Sequence, residues 1–240
     1  MMAPGVLVEG RALLADRILF APLRLEIKAE CWTCLLGASG VGKSTILRLI
    51  AGLENGAEFE GQISADDDGA LPERIAYMAQ SDLLLPWATA LDNIVIGSRL
   101  RGERPELDRA KEMLNRVGLS AQGDKRPSAM SGGERQRIAL ARTLMEDRPV
   151  ILLDEPFSAL DARTRAEMQE LAAELLADRT VLLVTHDPAE AARMGAAIFV
   201  LTPTGLEQTE PPAAAPIRAI DDPETLAAQG RLHRRLLERA

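Results

Sequence analysis

The stretch GASGVGKST, residues 37–45, constrains this 240-residue chain more than any other. It matches the pattern G-x-x-x-x-G-K-[ST], with Gly37, Gly42, Lys43 and Ser44 at the fixed positions. In such a loop the glycines let successive backbone N–H groups turn toward one anion, and the dipole of the following helix adds about half a positive charge. The pattern therefore predicts a phosphate cradle, in which Lys43 reaches the β- and γ-phosphates of a nucleotide and Ser44 binds Mg²⁺.

The residues on either side of the loop predict a strand before it and a helix after it. CWTCLL, residues 31–36, is typical of a buried strand. After the loop, apolar residues recur at helical spacing at Ile46, Leu47, Leu49, Ile50 and Leu53, and Gly52 near the end is a stop signal. Strand, loop and helix together predict that the whole loop lines the nucleotide site: Gly37, Ala38, Ser39, Gly40, Val41, Gly42, Lys43, Ser44 and Thr45.

The alternation of strand and helix signals predicts an α/β fold with a mainly parallel sheet, and the phosphate-binding loop indicates that its core is of the P-loop NTPase type. Residues 6–30 predict two or three short strands of an antiparallel β subdomain, and residues 60–64 and 74–80 predict two further strands. Buried strands follow at residues 149–155, PVILLDE, and 180–186, TVLLVTH, and AAIFVLT is predicted to be the last strand.

The domain organisation predicted from these signals is one domain, residues 1–240. Residues 1–82 and 149–205 form the nucleotide-binding core, and the mainly helical stretch 83–148 is an inserted lobe. Residues 206–240 form a tail that ends in a helix from Pro223 to Arg239, and we expect it to pack on the body or to contact a partner.

Composition limits the partners and the compartment. A formal net charge of −8 argues against a duplex nucleic acid partner, and 3% aromatic residues argue against a stacking surface for single strands. No apolar run approaches the roughly 18 to 20 residues of a membrane span, and the N-terminus lacks the features of a signal peptide. We therefore expect the chain to stay in the cytosol.

Cys31 and Cys34 have the C-x-x-C spacing of some zinc and redox sites. On a strand, however, residues three apart point to opposite faces, so one site cannot easily use both. The spacing favours buried structural thiols.

A second group of candidate residues is the carboxylate pair Asp154 and Glu155. Four apolar residues place the pair at the carboxyl end of a predicted strand, where open α/β sheets have their sites. Asp154 is predicted to hold Mg²⁺, and Glu155 to polarise the attacking water as a general base. The alternative is a solvated strand end. His186 also ends a buried strand at this edge, whereas His233 lies in a basic terminal helix and is predicted to be solvated or capping.

A third group lies in MSGGERQRIALARTL, residues 130–144. Ser131 is placed to cap a helix and Glu134 completes the S-x-x-E capping box, which by itself explains these two residues as a helix start. Capping does not require Gly132 and Gly133, however. The pair predicts a second anion site, where the cap directs their amides outward toward phosphate.

The stretches GASGVGKST, MSGGE, VILLDEP and FSALD, in this order and spacing, resemble the ATP-binding cassette (ABC) family over nearly the whole chain. The resemblance implies a head-to-tail dimer in which each ATP, with Mg²⁺, lies between the cradle of one copy and Ser131, Gly132, Gly133 and Glu134 of the other. It also implies that Gln80 senses Mg²⁺ and water, that Asp161 lies at the dimer seam, and that His186 contacts the γ-phosphate.

Two departures from the family pattern stand out. The signature is MSGGE rather than LSGGQ, which keeps an apolar anchor and a capping residue, so we expect activity to survive. Leu14 aligns with the aromatic residue that usually stacks on adenine, so aliphatic contact would replace stacking there. Phe20 is the nearest aromatic residue, and we expect it in the core.

QSDLLLPWATALDNI resembles the importers of nitrate, sulfonate and taurine, and together with CWTCLLGASGVGKST it is similar to importers of thiamine-precursor pyrimidines such as hydroxymethylpyrimidine. The resemblance implies an ATPase subunit at the cytoplasmic side of the inner membrane. Transmembrane permease subunits would dock near LLLPW, residues 83–87, and a solute-binding protein would act indirectly. Some of these apolar side chains are alternatively core residues of the lobe.

Two other functions remain as alternatives. One is a soluble ABC ATPase acting on nucleic acid or ribosomes, against which the single cassette, the acidic charge and LLLPW argue. The other is a small-molecule kinase on the same loop, which MSGGE disfavours.

Overall fold

The computed structural model describes residues 2–15, 17–54 and 56–238. Over these residues the elements follow in the order β1 (Val6–Leu14), β2 (Arg17–Ile27), β3 (Trp32–Gly37), α1 (Lys43–Ile50), β4 (Glu58–Ala65), β5 (Ile75–Met78), α2 (Ala90–Ile94), α3 (Ile96–Leu100), α4 (Leu107–Arg116), α5 (Gly132–Met145), β6 (Val150–Asp154), α6 (Ala162–Leu175), β7 (Thr180–Thr185), α7 (Pro188–Met194), β8 (Ala197–Thr202), β9 (Gly205–Thr209) and α8 (Pro223–Glu238).

The chain forms two compact units. The first comprises Met1–Tyr77, Arg148–Glu155 and Leu176–Ala240, and the second comprises Met78–Asp147 and Pro156–Leu175. Both sheets belong essentially to the first unit, and helices α2 to α6 belong to the second. The division into core, lobe and tail made from the sequence remains a prediction.

The central sheet has the strand order β5-β6-β7-β3-β8-β9. The pairs β3–β7, β3–β8 and β6–β7 are parallel, and every residue of β3, β6, β7 and β8 is buried, as expected for strands covered on both faces. The α/β prediction with a mainly parallel sheet is confirmed.

The prediction that AAIFVLT is the last strand was wrong, because β9 follows it and pairs antiparallel with β8. The sequence of β9, GLEQT, contains one large apolar residue, Leu206. An edge strand of this kind is held by main-chain hydrogen bonds, and these leave no apolar run in the sequence.

The N-terminal residues form the predicted antiparallel sheet, with the order β2-β1-β4. The core of the first unit includes residues of this sheet, of α1 and of the central strands, and Phe20 is fully buried in it, which confirms its predicted place. Leu53 was wrongly predicted to belong to the apolar stripe of α1. The helix ends at Ile50, Gly52 has φ 67, and Leu53 is exposed.

The tail packs on the rest of the first unit, because α8 contacts α7. This is one of the two alternatives that the sequence predicted for the tail. The Arg218 guanidinium is buried and donates hydrogen bonds to the carbonyl oxygens of Ala192 (2.8 Å), Gly195 (2.9 Å), Pro212 (2.9 Å) and Ala214 (2.6 Å). Residue Arg239, the predicted end of the last helix, lies outside the described residues.

In the second unit, α5 packs against α2, α4 and α6. The predicted helical stretch LDNIVIGSRLRG is divided at Val95 into the two short helices α2 and α3.

Cys31 and Cys34 belong to the first unit. Cys34 is buried, Cys31 is half-buried, and both are free thiols.

Candidate functional site

The loop between β3 and α1 depends on two glycines in the left-handed region, Gly40 with φ 82 and Gly42 with φ 103. A Cβ atom on Gly42 would lie 3.0 Å from Cδ1 of Phe20, so the position has neither the conformation nor the space for a side chain. Gly42 is also the N-cap of α1 and has no side chain with which to cap it. The first amides of α1 are therefore available to an anion.

Lys43 is the first residue of α1, and only 5% of it is exposed. Its Nζ atom donates hydrogen bonds to the carbonyl oxygens of Gly37 and Ala38, both at 2.8 Å. Burial lowers the pKa of Lys43, and the nearby charges of Glu155 and Asp154 oppose this shift. The loop thus holds an ammonium group over its own backbone, beside the two carboxylates at the end of β6.

Asp154 ends β6 and is 1% exposed. Its carboxylate is hydrogen-bonded to Ser44, and Oδ2 lies 3.5 Å from the hydroxyl of Tyr77, a long contact. Burial raises the pKa of Asp154, as does the Glu155 charge, whereas the Ser44 hydrogen bond and Lys43 lower it. Oδ1 is buried without a hydrogen-bond partner among the described residues. A buried carboxylate oxygen without a partner, beside a serine hydroxyl, fits a hard cation such as Mg²⁺.

Glu155 follows β6 in a left-handed backbone conformation, φ 50, which costs a non-glycine residue roughly 1–3 kcal/mol and persists only when its surroundings fix it. Its N–H donates to the carbonyl oxygen of Val184 on β7 at 2.9 Å. Its Oε1 lies 3.0 Å from Nδ1 of His186, which directly follows β7. The turn after β6 therefore places the carboxylate against the histidine.

The sequence placed Glu155 and His186 at one sheet edge but gave neither their contact nor the strained turn. A signal for the contact was available, because both residues come directly after buried strands and β6 and β7 are neighbours in the sheet.

At the start of α5, Ser131 Oγ accepts a hydrogen bond from Glu134 N–H (3.2 Å), and Glu134 Oε2 accepts one from Ser131 N–H (2.7 Å). This confirms the predicted capping box. The hydrogen bond from the Ser131 backbone is the main cause that lowers the pKa of Glu134.

The two glycines of the signature differ in their surroundings. A Cβ atom on Gly133 would lie 3.2 Å from the carbonyl oxygen of Ala159, so packing inside the unit favours glycine there. A Cβ on Gly132 would come only within 4.0 Å of Arg135 Nη2. The described part of the fold therefore gives no steric reason for glycine at position 132.

Asp161 caps α6. Its Oδ1 accepts hydrogen bonds from the N–H groups of Arg163 (3.1 Å) and Thr164 (3.0 Å), and the Thr164 bond is the main cause that lowers the pKa of Asp161. Sequence reasoning missed Gln136, a buried residue of α5. Its Oε1 accepts from Ala159 N–H (2.8 Å), and its Nε2 donates to Ser158 Oγ (3.2 Å). Gln136 thus ties the signature helix to the segment that leads to Asp161.

The predicted site residues fall into two sets. Lys43, Ser44, Asp154, Glu155 and His186 come together in the first unit. Gln80, Asp161 and the residues from Ser131 to Glu134 belong to the second unit, where Gln80 is exposed, two residues after the end of β5.

Three other predicted positions are exposed: Leu14, at the expected adenine end, and Leu83 and Trp87 of LLLPW. Between the latter two, Leu84 is buried and Leu85 is half-buried, so part of this apolar stretch belongs to the core of the second unit.

The sequence profile described as ABC transporter matches residues 20–158, more than half of the chain. This chain belongs to the ABC transporter family. The matched region contains the phosphate loop, the signature and the Asp154–Glu155 pair, so the chain is an ATP-binding cassette ATPase.

Known proteins of this family resemble the chain in sequence and in structure. The chain is 47% identical over 193 residues to an uncharacterized ABC transporter ATP-binding protein of Haemophilus influenzae, covering 80% of this chain and 79% of that protein. It is 44% identical over 193 residues to the aliphatic sulfonates import ATP-binding protein SsuB 1 of Rhodococcus jostii, covering 80% and 76%. The dimeric structure of a post-hydrolysis state of the ATP-binding cassette MJ0796, bound to ADP and Pi, superposes with a TM-score of 0.75 at 28% identity, covering 89% and 99%.

Among the described residues, none of the helices combines the length and the apolar character that crossing a bilayer requires.

Proposed function

We propose that this ABC ATPase is the energy-coupling subunit of an importer. Two copies close head to tail on ATP, hydrolysis lets them reopen, and the motion drives a solute through separate transmembrane subunits. The observation that carries the proposal is the group at the end of β6 and β7, where buried Asp154 lies with Lys43 and Ser44, and Glu155 Oε1 lies 3.0 Å from His186 Nδ1. Import itself is supported by relatives such as the sulfonate import protein of Rhodococcus jostii.

In the proposed reaction, the phosphates of ATP bind the free amides of the loop and of the start of α1, with Lys43 at the β- and γ-phosphates. A water molecule attacks the γ-phosphorus in line, the bond to the bridging oxygen breaks, and ADP leaves as inorganic phosphate forms. The Glu155 carboxylate accepts a hydrogen bond from the water and takes its proton as the new P–O bond forms. His186 Nδ1, 3.0 Å from Oε1, keeps the Glu155 carboxylate in one orientation. The contact of His186 with the γ-phosphate is retained from the family resemblance.

Mg²⁺ is proposed to bind Ser44 and Asp154, whose buried Oδ1 has no hydrogen-bond partner in the described part of the chain and provides a ligand oxygen. Bound there, it would neutralise charge on the β- and γ-phosphates. Gln80 is retained as a further ligand from the family resemblance.

The second half of each ATP site is proposed to come from the other copy. Ser131, Gly132, Gly133 and Glu134 would approach the γ-phosphate, and Asp161 would lie at the seam. The open space at the Cβ position of Gly132 supports this role, because that position leaves backbone free for close approach of a ligand. The dimeric form of the MJ0796 cassette is consistent with it.

The transmembrane subunits are proposed to dock at residues 83–87. Leu83 is 63% exposed and Trp87 is 69% exposed, and large exposed apolar residues close together mark interaction surfaces. The ATPase would then work as a peripheral subunit at the cytoplasmic side of the inner membrane. A separate solute-binding protein and the membrane subunits would choose the solute; sulfonates are suggested by the relatives' names, and the thiamine-precursor pyrimidine remains a prediction from sequence.

The first experiment tests the ATPase dimer. Glu155→Gln removes the proton acceptor and keeps the shape of the side chain, so ATP–Mg²⁺ should trap a stable dimer that light scattering detects. Glu112→Gln, on the exposed surface of α4, is the matched control and should hydrolyse ATP like the wild type. A Glu155→Gln protein that stays monomeric at saturating ATP–Mg²⁺ would contradict the scheme.

A second experiment tests import. The ATPase would be reconstituted with candidate membrane subunits and binding proteins, and ATP hydrolysis would be measured with each solute in turn. We expect one solute to stimulate hydrolysis. Failure to associate with membrane subunits, together with hydrolysis stimulated by nucleic acid, would support the soluble alternative instead.

A further inference from the structure

The segment from Asp82 to Thr89, called the docking loop below, has a strained backbone. Leu83 has φ 45, in the left-handed region, where a leucine is an outlier. Such a conformation persists only when the surrounding structure fixes it. Its exposed large apolar side chains are those of Leu83 and Trp87.

Helix α5 fixes the beginning of this loop. Arg142 donates from Nη1 to the carbonyl oxygen of Leu83 at 2.9 Å and from Nη2 to that of Asp82 at 2.7 Å. One planar guanidinium thus holds two successive carbonyl groups, which fixes the peptide between them more firmly than a single contact would. Arg135, also on α5, forms an ion pair with the Asp82 carboxylate at 2.9 Å. Burial lowers the pKa of Arg142.

Asn93 on α2 fixes the rest of the docking loop. This side chain is fully buried, and its Oδ1 accepts a hydrogen bond from Leu85 N–H at 2.7 Å. Its Nδ2 donates to the carbonyl oxygen of Thr89 at 2.9 Å, with longer contacts to Leu85 and Ala88. Because α2 packs against α5, both clamps belong to one packed body.

The same helix that anchors the docking loop begins at the signature. Arg142 lies 11 residues beyond Ser131, about 16 Å along one continuous helix at 1.5 Å per residue. A displacement of the start of α5 on ATP binding would therefore be transmitted along the helix, and through the two hydrogen bonds of Arg142, to the carbonyl groups of Asp82 and Leu83.

We propose that Arg142 is a positioning residue that couples ATP capture at the start of α5 to the surface formed by Leu83 and Trp87. The inference rests on the proposed function, in which that surface meets a membrane subunit. It adds that the connection runs within the second unit, chiefly through the two hydrogen bonds of Arg142, with the Arg135–Asp82 ion pair as a further contact. Without Arg142, α5 can still bind ATP, but the docking loop follows it much less closely.

The test uses hydrogen exchange of the full chain in the Glu155→Gln background, with and without ATP–Mg²⁺. With Arg142 in place, ATP should slow exchange in residues 131–134 and also in residues 83–88. In Arg142→Met, ATP should still slow exchange in residues 131–134 and still produce the dimer. Its effect on residues 83–88 should fall by about tenfold, as expected when hydrogen bonds that fix a segment are lost.

Two further variants separate coupling from stability. Arg142→Lys, whose ammonium is a compact point charge without the planar fork, should restore part of the ATP effect, and it replaces Arg142→Met if that variant does not fold. Arg116→Met is the matched control, because it removes an arginine of α4 that pairs with Glu174 and should leave the ATP effect intact. A purely structural role would raise exchange in the docking loop equally with and without ATP and leave the difference unchanged.

The outcomes distinguish failure of the coupling role of Arg142 from failure of the proposed function. If the dimer forms but ATP protects residues 83–88 equally in Arg142→Met, or never protects them in the parent, the coupling role is refuted while the ATPase dimer stands. If the parent forms no ATP-bound dimer, the proposed function itself fails, and the coupling inference fails with it.

Discussion

Gly132 allows a sharp test of the ATP site, because the fold and the proposed function make opposite demands on it. A methyl group added there would come no closer than 4.0 Å to the Arg135 side chain among the described residues. Gly132 is also the first residue of α5, and alanine is a better helix former than glycine. The Gly132→Ala chain should therefore fold normally and gain up to about 0.5 kcal/mol in the free energy of unfolding. For a chain of this size, that raises Tm by about 1–2 °C.

Function should change in the other direction. In the proposed dimer the Gly132 amide approaches the γ-phosphate, and a hydrogen bond to a charged group contributes about 1.5–3 kcal/mol. A methyl group that blocks this approach should therefore weaken ATP-driven dimerisation about 10- to 100-fold, since 1.4 kcal/mol corresponds to tenfold. Light scattering of the Glu155→Gln dimer across an ATP titration measures the loss, and phosphate release measures the effect on hydrolysis in the wild-type background.

Gly230→Ala is the control, because Gly230 lies inside α8 and, of the described residues, its added Cβ would contact only Arg234, at 3.8 Å from Nη1. It should stabilise the chain by up to about 1 kcal/mol and leave hydrolysis unchanged. If Gly132→Ala dimerises and hydrolyses ATP like the wild type, the assignment of Gly132 to the phosphate is wrong. If it destabilises the chain by more than about 1 kcal/mol, Gly132 does not have the open space inferred for it.

Three further predictions concern the first unit. Lys43→Ala should lower hydrolysis at least about 100-fold, the scale found when one stabilising group is removed from a transition state, and phosphate release above a tenth of the wild-type rate would contradict this. Burial raises the pKa of Asp154 above its ordinary value of 3.8, so ionising it costs stability as pH rises through and above that value. In the nucleotide-free and Mg²⁺-free chain, Asp154→Asn should therefore have the higher Tm at pH 7, with the difference vanishing below pH 3.8; thermal melts that show no such pH dependence would rule out this account. Arg218→Met leaves four carbonyl groups, three of them in buried residues, without their donor and should cost about 3 kcal/mol in urea unfolding, and a loss below about 1 kcal/mol would show that the tail is held by α8 instead.

Much of the fold was predictable because its strands are continuous apolar runs. Strands β3, β6, β7 and β8 are buried on both faces, and only a nearly unbroken apolar sequence can occupy such places. The edge strand β9 and the division of α2 from α3 were not predictable in this way. Both depend on main-chain pairing and local packing, which leave little trace in hydrophobic periodicity.

The candidate site shows the same division. Glycine spacing and the capping box are local features, set by φ angles and by hydrogen bonds between residues close in sequence, so they can be found without a structure. The hydrogen bonds between Gln136 and Ser158, between Ala159 and Gln136, and from Arg142 to the docking loop join residues 22 to 60 positions apart. Nothing in the separate segments specifies these partners.

The sequence by itself therefore determined the chemistry available to this ATPase: a phosphate loop, a carboxylate pair at a strand end and a capped glycine pair. Each is encoded within a few neighbouring residues, because local backbone geometry decides it. Only the tertiary structure decided that, within the residues it describes, Asp154 has a buried oxygen without a hydrogen-bond partner and Gly132 has open space where Gly133 has little, and that Glu155 turns against His186. Those properties depend on which distant atoms surround a group, since desolvation, contact and free space arise only when segments far apart in the chain are packed together.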